Sequence, residues 1–437
     1  MDRIRILLGT DIIRNFLKLL SATIVAQGLS FALSPLFSRL YTPEEFGLVA
    51  LYMSLLSILS VLATAKYEQA IMLPREDGAA INLLGLVLLI TAAVSVFCLM
   101  VVVFFNSFLA RVSGNPDIGP WLYWLPLSLL LHGLFQGATF FSNRKKLFGI
   151  MASGTVVQYG FLNGVRLAAG LLRTPFNGLI AGQLAAQISG TAFMLARTQK
   201  KLRTLYHQIS WNEIRQQGSI YSGYPRYNMM LNFTNNLSGS LPVFMFTWGF
   251  SAEAAGLYAF GYTFVFRPLS LFSQSTQQVL SQKIIEDFHQ GKWVYPALKK
   301  LVLRFFLLGI IPFMLLALLG PWLFGVIFSE AYARAGSMLQ VLTPWLFLVF
   351  LTSPLSFIPE LFFRQKKAMI IDMIYLVLRF FALGAGIWHD SIWLALGLFS
   401  AVSTAVVLYN LLWYLHLARN QRKGAYSSTH ETKKPGL

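Results

Sequence analysis

Apolar runs of about twenty residues recur along almost the whole chain, and they limit it to very few folds. A run of that length crosses the hydrocarbon core of a bilayer as a helix. Inside a membrane the backbone finds no water to bond, so only helices and closed barrels cross it. A barrel needs strands of alternating polarity, whereas these runs are continuous. Twelve spans are predicted, near residues 15–38, 44–65, 79–106, 119–141, 148–172, 177–197, 219–245, 253–280, 298–319, 336–360, 368–388 and 391–417. Composition agrees, since 12% of the 437 residues are charged, about half the share in a soluble domain. The expected fold is an all-α polytopic membrane protein with about 12 transmembrane helices. Its least apolar span is the seventh, where "YNMMLNFTNNLSGS" must turn its polar groups toward protein or water.

The net charge of +18 would suggest nucleic acid in a soluble protein. Here 25 of the 35 Lys and Arg lie in or beside the termini and even-numbered loops, against 4 in the odd-numbered loops. The positive-inside rule explains that asymmetry and puts both termini in the cytoplasm. No soluble segment remains to read a nucleic-acid groove, so that partner is excluded. The outer loops are too short to hold a catalytic domain. Cys98 is the single cysteine and has no internal disulfide partner. The first span lacks a signal-peptide cleavage site and is read as a retained helix. Residues 418–437 are read as a disordered, basic cytoplasmic tail.

One phrase occurs twice. "TPEEFGLVALY" begins at Thr42 and "SAEAAGLYAFGY" at Ser251. A shift of 209 residues pairs Glu44 with Glu253, Gly47 with Gly256, Leu48 with Leu257 and Ala50 with Ala259. Both copies open an even-numbered span with Thr or Ser and an acid two residues on, which suits a helix N-terminus. The expected organisation is two six-helix bundles, residues 1–207 and 208–417, related as parallel repeats. Several transporters build alternating access from such repeats.

Charges inside the spans are costly, about 2.5–3.5 kcal/mol each for Arg or Lys at mid-membrane. Even so, Arg166, Arg267 and Arg379 fall within the fifth, eighth and eleventh spans, with Arg226 nearer the cytoplasmic end of the seventh. Helical spacing puts Arg166, Arg267 and Arg379 each on a polar stripe. Thr155, Tyr159, Asn163 and Arg166 share one face, and so do Arg267, Ser270, Gln274 and Gln277. Asn228, Asn232 and Asn235 line the seventh span, while Asp372, Tyr375 and Arg379 follow on the eleventh. The fourth contributes Ser128, His132, Gln136 and Thr139. Cations outnumber acids within the spans, so the implied cavity favours an anion such as a pyrophosphate, whose oxygens match the guanidinium fork. Asp372 is the acid placed most clearly inside a span, and it is the expected ion-coupling residue. Glu68 and Lys66, where the second span meets the cytoplasm, are the expected gating pair. No phosphate-binding loop, metal-spaced His or Cys cluster, or acidic pair within one predicted site is present, so no enzyme, metal or cofactor is expected.

The stretch "LFSRLYTPEEFGLVALYMSLLSILSVLATAKYEQAIMLP" resembles polysaccharide-repeat-unit flippases of the Wzx type. Arg39, Pro43, Glu44, Glu45, Phe46 and Gly47 match that family's element before the second helix, and Lys66 to Pro74 resemble the stretch after it. The resemblance implies the fold of the multidrug/oligosaccharidyl-lipid/polysaccharide exporter superfamily, with two bundles in a V around a central cavity. It implies transport of an undecaprenyl-pyrophosphate-linked oligosaccharide from the cytoplasmic to the periplasmic leaflet of a bacterial inner membrane, for O-antigen or another surface polysaccharide. It also implies coupling to a proton or sodium gradient, and other polysaccharide assembly proteins as partners. Three alternatives stay open: a polysaccharide polymerase, a multidrug exporter of the same superfamily, and a lipid II flippase.

Overall fold

The computed structural model describes residues 11–421. Twelve long helices follow the predicted spans: α1 (Asp11–Ala32), α2 (Pro43–Thr64), α3 (Asp77–Val112), α4 (Leu125–Arg144), α5 (Phe148–Leu171), α6 (Gly178–Arg203), α7 (Met229–Gly249), α8 (Ala252–His289), α9 (Tyr295–Ile327), α10 (Ala333–Thr352), α11 (Gln365–Trp388) and α12 (Ile392–Asn420). The described residues contain no strand. Eight of these helices, α2, α3, α4, α6, α9, α10, α11 and α12, are long and apolar enough to cross a membrane. The other four include α5, α7 and α8, whose polar stripes dilute their hydrophobicity. The protein is an all-α, multi-pass membrane protein. The tail expected at 418–437 lies outside the described residues beyond Gln421.

The seventh span was expected from residue 219, yet α7 starts at Met229. Two short elements intervene, a helix at Trp211–Ile220 and a π-helical turn at Tyr224–Asn228 that contains Pro225. Proline has no backbone N–H and cannot continue the regular ladder. The short helix rests on α3. There the Asn82 side chain donates to Gln208 O at 2.9 Å and accepts from Ser210 N at 3.0 Å.

The chain divides into two compact units, Met1–Gly256 and Leu257–Leu437. In the first, α3 packs on α4, α4 on α6, and α6 on α5. In the second, α9 packs on α10, α10 on α12, and α12 on α11. Advancing these four helices by six converts one pattern into the other. The division nevertheless falls about fifty residues beyond the expected boundary at 207/208. Its cause is α7, which packs on α2. The Asn236 side chain donates to Ser57 O at 2.9 Å, and the Ser57 and Ser240 hydroxyls meet at 3.3 Å. These contacts satisfy part of the polar face that made α7 unsuited to lipid.

The twice-written phrase marks a meeting point within the first unit. Thr42 Oγ1 accepts from Glu45 N at 3.4 Å while Glu45 Oε2 accepts from Thr42 N at 2.8 Å, a complete capping box. Ser251 Oγ accepts from Ala254 N at 3.1 Å and caps α8. The two capped ends then cross. A Cβ on Gly47 would stand 1.9 Å from Ala252 O, and one on Gly256 would stand 1.8 Å from Pro43 O. The 209-residue shift turns Pro43 into Ala252, so the contact is reciprocal, as across a two-fold axis. Both positions need glycine because the opposing atoms are backbone and cannot rotate away.

Candidate functional site: a caged guanidinium and a neutral polar pocket

In the second unit the polar chemistry centres on Arg379, which is 6% exposed. Tyr375 precedes it by one turn of α11, and Phe399 and Ser403 lie one turn apart on α12. The guanidinium sits 3.8 Å from the Tyr375 ring centroid, 4.8 Å from Phe399 and 5.0 Å from Trp345 of α10. Its Nε donates to Ser403 Oγ at 3.2 Å, and a terminal nitrogen donates to the Tyr375 hydroxyl. A second layer from α8 supports the rings. Tyr262 stacks on Trp345 at 5.7 Å, and Tyr258 meets Phe399 edge-on at 6.5 Å. A desolvated cation–π contact contributes on the order of 2 kcal/mol. Two such contacts therefore offset the roughly 3 kcal/mol cost of a cation at mid-membrane. Asp372 shares the stripe and interacts electrostatically with Arg379. It lies within electrostatic reach of Tyr414.

The remaining arginines occupy different settings. Arg166 is five residues from the end of α5, where its Nε donates to Leu179 O at 3.3 Å and its stem lies over Gly182. The Tyr41 hydroxyl donates to the Arg166 carbonyl at 2.5 Å. Arg267 and Arg226 are exposed, and among the described residues neither guanidinium has an intramolecular hydrogen bond. Gln277 is half-buried on α8, while the Gln274 side chain lies outside the described residues.

The first unit holds a contrasting site. A cavity of about 230 Å³ opens between α2, α4, α5, α6 and α7. Polar side chains reach it from all five helices, among them Ser60, His132, Gln158, Gln183, Gln187 and Asn236. No Asp, Glu, Lys or Arg lines it. Of the stripe on α4, His132 faces this cavity, whereas Ser128 meets the Tyr52 hydroxyl at 2.5 Å. Gln136 is half-buried and outside the lining. Asn163 is 4% exposed and donates to Ser30 Oγ at 2.8 Å, tying α5 to α1. On α7, Asn232 donates back to Asn228 O at 2.8 Å, and Asn235 is exposed. The glutamines of α6 escaped the sequence reading. Gln183, Gln187 and Thr191 are spaced four apart, a stripe as regular as those on the charged helices.

The expected gating pair sits where α2 ends. Ala65 and Lys66 both adopt left-handed backbone, with φ of 47° and 61°, a conformation costly for residues with a Cβ. This reversal turns Lys66 Nζ to within 3.7 Å of Glu68 Oε1. Glu68 is 2% exposed, and its other carboxylate oxygen has no hydrogen-bond partner. The Asn228 side chain donates to Gln69 Oε1 at 3.4 Å, so the turn also touches the start of α7.

Solved transporters share the fold. An inward-facing multidrug resistance MATE family transporter of the MOP superfamily aligns with a TM-score of 0.67 and 13% identity, covering 90% of this chain and 95% of the other. The lipid II flippase MurJ, in an inward closed conformation, aligns with a TM-score of 0.68 and 13% identity, covering 92% and 90%. No curated protein matches the sequence significantly. Fold and composition define an all-α, multi-pass membrane protein whose solved structural neighbours are transporters. Residues 36–337 match the family described as polysaccharide biosynthesis protein, and the chain belongs to that family.

Proposed function

We propose that this protein is a flippase that moves an undecaprenyl-pyrophosphate-linked oligosaccharide from the cytoplasmic to the periplasmic leaflet of a bacterial inner membrane. The supporting observation is a polysaccharide-biosynthesis sequence carried on a transporter fold. Within this reading both termini are cytoplasmic, and two repeats of six helices supply alternating access. The exposed Arg267 and Arg226 meet the anionic headgroup. At about 5 Å and an effective dielectric near 20, each charge pair contributes about 3 kcal/mol. Arg166 and Arg379, bonded within their own units, hold the helices that carry the site and keep its potential positive. Amides and hydroxyls take the sugars, and the lipid tail stays in the bilayer.

Asp372 is the proposed ion-linked group. A ligand drives a transition only through different affinities for the two states, and a half-buried carboxylate in α11 gains or loses a proton or sodium ion as its surroundings change. The test uses the protein in liposomes containing a polyprenyl-pyrophosphate-linked oligosaccharide, with translocation read by lectin access. Wild type should respond to an imposed proton or sodium gradient. Asp372→Asn should insert normally and lose most of that response. If wild type moves no lipid-linked sugar under either gradient, the flippase reading fails.

A further inference from the structure

We infer that the cavity of the first unit is a binding site for one neutral sugar ring of the transported glycan. The lining selects the chemistry by exclusion. A phosphate would find neither guanidinium nor ammonium there, and a metal cation would find no carboxylate. A wholly apolar ligand would strand the polar groups, eight of the twelve residues around it, at about 1–3 kcal/mol for each one left unbonded. Neutral, hydroxyl-rich and amphipathic is what remains. At ~30 Å³ per water, the volume of about 230 Å³ holds about seven or eight waters, which is roughly what a single sugar ring displaces.

One group points directly to a ligand. Gln187 is 7% exposed, and its carbonyl Oε1 has no hydrogen-bond partner. A buried carbonyl left open this way accepts readily from a sugar hydroxyl. Other amides are also available: among the described residues no hydrogen bond engages Gln158 or Gln183, and Asn236 uses only its Nδ2, toward Ser57 O. Phe135 supplies an aromatic wall for the C–H face of the ring. Planar amides around one aromatic side chain can match both the hydroxyl edge and the apolar face of a pyranose.

This inference rests on the proposed glycan substrate, but it can fail separately, because free sugars test it without lipid or transport. The full-length protein in detergent is melted with increasing methyl glycosides of glucose, galactose, N-acetylglucosamine and rhamnose, with sorbitol as the osmolyte control. The expected result is a saturable, millimolar rise in Tm with at least one glycoside and none with sorbitol. Gln187→Met keeps the side-chain volume and removes the open carbonyl. Its own Tm should stay level or rise, while apparent glycoside affinity falls at least about tenfold. Gln183→Leu should weaken binding in parallel, which covers failure of either variant to fold. The idea is overturned if no glycoside gives a saturable shift, if sodium or potassium chloride gives the only one, or if Gln187→Met binds like wild type. Liposome translocation by wild type is scored alongside. Sugar binding without translocation would sink the flippase reading and leave the pocket standing; translocation without sugar binding would do the reverse.

Discussion

The two units arrange comparable helices around opposite chemistries. The first encloses a neutral cavity ringed by amides and hydroxyls, and the second buries a guanidinium between three aromatic faces. The packing order of α3 to α6 matches that of α9 to α12, yet different polar groups occupy the two interiors. A repeat thus keeps its skeleton where backbone meets backbone, as at Gly47 and Gly256, and is free to diverge wherever side chains fill the space.

Substitutions at Arg379 should break this contrast most severely. Arg379→Glu sets a carboxylate against the negative faces of three rings, so transport should vanish together with most of the folded protein. Arg379→Lys keeps the charge but loses the planar stack and the fork, and should retain part of both. The check is transport per folded molecule beside abundance by fluorescence-detected size exclusion. If Arg379→Glu is as abundant and active as wild type, the cage holds nothing together.

The crossing of the repeated phrase gives the next largest effect. Gly47→Ala or Gly256→Ala drives a Cβ into a backbone carbonyl and should cost about 1–3 kcal/mol, as overpacking does, with transport reduced in step. Gly239→Ala on α7 is the small end of the scale, since a Cβ there meets nothing within 4 Å. It should be neutral, or stabilise by about 0.5–1 kcal/mol through helix propensity. Melting curves of the three purified variants separate these outcomes. Equal Tm values for all three would mean that the reciprocal contact is not a fixed feature of the protein.

Much of the skeleton was legible in the sequence because the length and apolarity of a span are local properties. The capped start of α2 could be read from Thr42 and Glu45, whose reciprocal bonds span three residues. The repeat was visible as text, but its purpose was not, because only the fold brings Gly47 against Ala252. The start of α7 was misplaced since an apolar window cannot register the break that Pro225 and its π-turn impose. Arg379 was marked by its charge alone. Its cage joins α10, α11 and α12, and no periodicity along one helix reveals partners on two others. The α6 glutamines were within reach, but uncharged stripes draw less notice than charged ones even where they carry the more enclosed site.

The central claim concerns which leaflet holds the lipid-linked oligosaccharide, and that distribution can be measured directly in cells lacking this protein. Spheroplasts are probed with a membrane-impermeant lectin or glycosidase before and after lysis. The flippase account predicts full-length oligosaccharide on its lipid carrier, protected until lysis and so confined to the cytoplasmic face, with wild-type protein restoring outer access. Oligosaccharide reaching the outer face in normal amounts while long chains fail to form would contradict the account, and would mark the protein as acting after translocation.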